Sequence, residues 1–139
     1  MATREAIVAA GRSWLDTPFV HEARLKGVGV DCAGVIIGVA REVGLSDYDI
    51  SGYGRVPEPA RMRGELDANM DRITLAEILP GDVLWCRIER DPQHLALITE
   101  IEPEVKILHS YQSVGRCVEH RLDEAWRRRI VAVFRFRGL

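Results

Sequence analysis

The strongest constraint on the fold of this 139-residue chain is a change of hydrophobic period at Leu79-Pro80-Gly81-Asp82. Before that turn signal, apolar side chains recur at three- and four-residue intervals. After it they come in short runs of strand length. In the first half, Ile7, Ala10, Gly11 and Trp14 predict a helix over 3–14 that ends near Asp16-Thr17-Pro18. The polar stretch Glu22 to Gly29 reads as a loop. Asp31 then offers an N-cap, Cys32, Val35, Ile36, Val39 and Ala40 make one apolar stripe, and Gly44 is a stop. Residues 45–57 have no period and predict an irregular excursion, and 58–70 a short helix through Leu66 and Met70. In the second half, strands are expected near 82–88, 94–101, 105–111, 115–121 and 130–136. Helices first and about five consecutive antiparallel strands second define an α+β class in a single domain, 1–139. The stripe of helix 32–43 needs a partner, and one face of the sheet is the expected one.

Composition narrows the function classes. Hydrophobic residues are 47% and charged residues 29%, a globular rather than disordered profile. A net charge of −2 argues against a nucleic-acid partner. No run approaches the roughly 18 apolar residues of a membrane span. Arg4 and Glu5 stand where a secretory signal would be apolar, so synthesis in the cytoplasm is expected. Cys32, Cys86 and Cys117 are odd in number and contain no Cys-x-x-Cys pair, which disfavours both a disulfide framework and a zinc site. Arg127, Arg128, Arg129, Arg135 and Arg137 read as a solvated edge.

Three residues could carry chemistry together. Cys32 opens the clearest helix, where unpaired amides favour an anion and lower a thiol pKa; as a member of the apolar stripe it also reads as a buried core thiol. His94 shares a strand face with Ala96 and Ile98, and the small Ala96 leaves room for a helix to approach. Pairing Glu100 with Val105 and Ile98 with Ile107 puts Ala96 opposite His109. His94 and His109 then lie diagonally on one face, about 7–8 Å apart at the backbone. A helix-end thiol against two imidazoles on the face that helix covers would be a nucleophile, a base and its orienting partner. His21 lies in a loop within reach of substrate, His120 reads as a surface residue of the fourth strand, and Cys86 and Cys117 as core thiols.

These residues resemble a known family. Trp14-Leu-Asp-Thr-Pro-Phe19, then Asp31-Cys32-Ala33-Gly34-Val, then Pro80-Gly81-Asp82-Val, His94-Leu-Ala-Leu-Ile and Ile107-Leu-His109-Ser follow the order of the NlpC-type cell-wall cysteine peptidases, from about residue 11 to 136. The resemblance implies a papain-like fold, Cys32 as nucleophile, His94 as general base and acid, His109 as its orienting residue, and no cofactor or metal. It implies hydrolysis of peptidoglycan stem peptides, typically between D-glutamate and diaminopimelate. Asp31, Phe19, His21 and Ala33 would face substrate. The family's usual Tyr is Phe19 here and its usual Ser is Ala33, which bears on specificity. The Pro-Phe-Val-His21 opening looks most like the phage-tail and gene-transfer-agent branch, which implies tail proteins as partners and delivery to the cell wall by a phage-like particle. Two rivals keep the fold. One is a catalytically lapsed tail component that binds glycan or stem peptide, and the other an acyltransferase or amidase on a different acyl substrate.

Overall fold

A computed structural model describes residues 2–55 and 58–139. Helix α1 (Arg4–Arg12) starts at Thr3, whose hydroxyl accepts the Ala6 amide at 3.0 Å. A two-stranded ribbon, β1 (Arg24–Leu25) with β2 (Gly29–Val30), leads into α2 (Cys32–Glu42), and α3 (Pro59–Asn69) follows. The ribbon overlaps the segment 22–29 expected to be a loop and ends one residue beyond it; two residues per strand are too few to show a period. Residues 46–55 form neither helix nor strand, and the rest of the expected excursion, 56–57, lies outside the described residues. Gly44 at φ +77° ends the α2 segment in a conformation that favours glycine.

The sheet contains β3 (Met70–Ile73), β4 (Val83–Arg87), β5 (Pro92–Glu100), β6 (Lys106–Tyr111), β7 (Arg116–Arg121) and β8 (Ile130–Phe136). Their order is β3-β8-β4-β5-β6-β7, antiparallel throughout. The five expected strands form, and β4 to β7 run as a meander. The last strand breaks the simple meander by returning to the far side of β4, where it also pairs a sixth strand, β3. A four-residue edge strand attached to a helix has too little period to be read from sequence.

Alternation sorts the side chains of this sheet into two cores. Val83, Trp85, Leu95, Leu97 and Leu108 meet Ile7 and Ala10 of α1 and Val35 and Val39 of α2. Leu84, Cys86, Ala96, Ile98, Ile107 and Val133 face the other way, under Leu122 and the Trp126 of a one-turn helix, α4 (Glu124–Arg127). On the first face α1 approaches so closely that a Cβ on Gly11 would lie 2.5 Å from Leu97 Cδ2, so any side chain there forces a shift. Ion pairs lock the frame. The fully buried Asp82 accepts from Arg4 at 3.1 Å and from Arg135 at 3.0 Å, and Arg137 donates to the Ala68 and Asp67 carbonyls at the end of α3 at 2.7 and 2.8 Å. Arg135 and Arg137 are therefore structural clamps, a correction to the solvated edge expected for the arginine cluster. No described helix is long and apolar enough to cross a membrane.

Candidate active site

Cys32 is the first residue of α2, and Asp31 is its cap. The Asp31 carboxylate is fully occupied. Oδ1 accepts from the Gly34 amide at 2.8 Å and from Arg24 Nη1 at 2.9 Å, while Oδ2 accepts from the Glu22 amide at 2.8 Å and the Tyr53 hydroxyl at 2.5 Å. Arg24 Nη2 also donates to the Tyr53 oxygen at 2.7 Å, and a His21 Nε2–H donates to the Tyr53 carbonyl at 3.0 Å. This polar latch fastens the excursion carrying Tyr53 to the start of α2. Burial and the hydrogen bond to Asp31 raise the Tyr53 phenol above its ordinary pKa, so it stays a donor.

The thiol itself is half-buried and donates a long hydrogen bond to the Gln93 carbonyl at 3.9 Å. Burial, then the Asp31 carboxylate, push its pKa from 9.0 up to about 12. The amides of Leu95 and Ala33 and the Arg24 guanidinium pull the other way and lose. The helix end explains why: it is worth about 0.3–1 kcal/mol, against roughly 1.4 kcal/mol for every unit of upward shift. The lowered thiol pKa expected at a helix start is reversed in direction, because burial outweighs the helix end.

His94, the third residue of β5, lies on the second face of the sheet with Ala96 and Ile98, whereas α1 and α2 cover the Leu95 and Leu97 face. The histidines are thus not on the helix-covered face, contrary to expectation, because the large leucines fill the helix side and alternation sends His94 to the reverse. Ala96 leaves its room on that reverse face, under the Trp126 of the one-turn α4, and not to α1 or α2. Where β5 begins, its register with β4 breaks between Cys86 and Arg87. There Cys32 and His94 line one cavity of about 400 Å³, together with Phe19, His21, Asp31 and Ala33. Among the described residues no hydrogen bond joins Sγ to either imidazole.

The expected pairing of Ile98 with Ile107 is present; Glu100 pairs with Lys106 across a bulge instead of with Val105. His94 Nε2 lies 2.5 Å from His109 Nδ1. Among the described residues His94 Nδ1 has no hydrogen-bond partner, and His94 lines the cavity. His109 does not line the cavity but stands behind His94, its Nε2 2.8 Å from His120 Nε2. His120 is half-buried in this cluster, a correction to its reading as a surface residue. The signal was present: His109 pairs with Val118 across the four-residue turn 112–115, so alternation places His120 on the same face, diagonal to His109. Trp126 packs edge-on against His109 at 4.8 Å and Arg129 stacks on Trp126 at 4.5 Å. Burial, then Arg129, hold His94 down to about 3; burial, then His94, hold His109 down to about 2, so both rings are neutral at pH 7. Cys86 and Cys117 are both fully buried, on opposite faces of the sheet, and cannot join Cys32 in one site.

No protein-family model and no curated protein matches the sequence. Solved structures match its fold. The NlpC/p60 domain of the peptidoglycan hydrolase SagA superposes with a TM-score of 0.68 at 18% identity, covering 96% of this chain and 98% of that one. An NlpC/P60 family protein from Bacillus cereus ATCC 10987 gives 0.73 at 14% identity over 97% of this chain and 40% of its own, so the chain spans about two-fifths of that protein. An N-acetylmuramoyl-L-alanine amidase from Bacteroides uniformis ATCC 8492 gives 0.66 at 13% identity over 97% and 99%. The chain has the papain-like NlpC/p60 fold, with a six-stranded sheet.

Proposed function

We propose that the chain is a cysteine peptidase that hydrolyses an amide bond in peptidoglycan stem peptides, the D-glutamyl–diaminopimelate bond being the first to test. The supporting observation is that Cys32 and His94 line one cavity in an NlpC/p60 fold. Both groups rest neutral, so the proton moves during attack and not before it. As Sγ bonds to the substrate carbonyl carbon, the thiol proton passes to His94 Nδ1, and backbone amides at the start of α2 face the developing oxyanion. The imidazolium returns that proton to the departing amine. Water attacks the thioester, gives a proton to His94, and the acid leaves as the thiol re-forms. His109 accepts at Nδ1 from His94 Nε2–H throughout and holds the ring in place. Phe19 and Ala33 face the same cavity and would shape its specificity. Carriage on a phage-like tail, with tail proteins as partners, is the delivery route we propose; recovery of the protein in purified particles tests it.

One observation favours a second reading, a lapsed binding component of the same fold: the thiol sits high in pKa with no imidazole hydrogen bond. Incubation with defined muropeptides and mass spectrometry of the fragments decides between them. Hydrolysis is expected from the native protein and none from Cys32→Ala, with an unchanged circular dichroism spectrum. Retained cleavage by Cys32→Ala removes the thiol mechanism, and muropeptide binding without cleavage by the native chain establishes the lapsed reading.

A further inference from the structure

His120 touches neither the cavity nor the thiol, yet it ends a line of hydrogen bonds that begins at the cavity. Its Nδ1 lies 2.8 Å from the Arg121 carbonyl oxygen. A carbonyl can only accept, so that contact requires a proton on His120 Nδ1. In a neutral imidazole the other nitrogen is then bare. His120 Nε2 must therefore accept from His109 Nε2–H across their 2.8 Å contact. That leaves His109 Nδ1 bare, and it accepts from His94 Nε2–H at 2.5 Å. His94 Nδ1, the nitrogen His109 does not engage, is left with a lone pair. The reverse polarity would set a bare His120 nitrogen against the carbonyl, lone pair to lone pair. A doubly protonated His120 or His109 would escape this and place a proton on His94 Nδ1, and burial opposes that charge on His109.

We propose that His120 is a positioning residue: anchored on the Arg121 carbonyl, it sets the tautomers of His109 and His94 so that His94 presents a proton acceptor to the cavity. The inference rests on His94 being the base. The groups around the line favour its neutral form. Trp126 and Arg129 cover it from the α4 end, Tyr111 stacks on His109 from β6, and the cation of Arg129 opposes further protonation of His94 and His109.

Nitrogen-15 NMR of the imidazoles in the full chain at pH 8 reads the tautomers without reference to activity. The expected result is Nε2–H on His94 and His109 and Nδ1–H on His120. His120→Gln keeps the polarity, because its amide N–H₂ can donate to the Arg121 carbonyl and its oxygen accept from His109. His120→Leu removes the anchor. His94 and His109 should keep their tautomers in His120→Gln and become mixed in His120→Leu. With muropeptide, kcat should fall about tenfold or more in His120→Leu at unchanged KM, a loss typical of removing an imidazole's outer partner, and recover in His120→Gln. A native His94 carrying its proton on Nδ1, or unmixed tautomers in His120→Leu, overturns the proposal. If the leucine variant fails to fold, the native and glutamine spectra decide alone. The predicted tautomers without any muropeptide cleavage would overturn the hydrolase reading and leave this one standing.

Discussion

The two faces of the sheet are built from the same strands and do different work. On one, Leu95, Leu97 and Leu108 lie under α1 and α2 in an apolar cluster. On the other, the neighbours His94 and His109 join His120 beneath a single turn of helix and one tryptophan. The contrast teaches that a strand with period two can supply stability and chemistry from alternate residues. The candidate chemistry sits where the cover is a single helical turn and His94 still lines the cavity.

The largest way to break the contrast is through activity. His94→Ala should lower kcat/KM by about 10²–10⁴-fold, the usual worth of general acid–base catalysis, in a muropeptide assay. His109→Ala should lower it less, because it orients the base and does not move the proton. The opposite ranking would exchange their roles. The helix-side face should instead respond in stability. Leu97→Ala, fully buried against α1, is expected to cost about 2–5 kcal/mol in urea denaturation at pH 8.

Acid should separate the faces again. Folded His94 and His109 titrate near 3 and 2 against 6.5 for a free imidazole. The unfolded chain therefore takes up protons that the folded chain refuses. Their contribution is complete above about pH 6.5 and is lost as pH falls toward 3. His109→Leu should flatten that part of a stability–pH curve, whereas Leu97→Ala should displace it without changing its slope. The smallest effect concerns the thiol. With Cys32 pushed up to about 12, its alkylation by iodoacetamide should rise about tenfold per pH unit from pH 7 through 9 without levelling. A plateau near neutrality would reveal a thiolate–imidazolium pair instead.

Much of the site was legible before the fold. Asp31 as a cap, Cys32 as the first helical residue and the Ile98–Ile107 pairing follow from spacing alone. The side of the sheet was not, because alternation says which residues share a face and not which face the helices choose. The leucines decided it through their volume. Tyr53 was illegible because the excursion that carries it has no period, and its hydroxyl reaches Asp31 only through tertiary folding. His120 was legible in principle, as a consequence of hairpin register.

Local pattern alone determined the three longer helices, the five principal strands, the cap and the candidate nucleophile and base, since each depends on neighbours a few residues away. Only the tertiary structure decided the charge state of the thiol and the direction of the imidazole line. Both depend on how far water is excluded and on which distant carbonyl, carboxylate or cation comes within hydrogen-bonding or electrostatic reach.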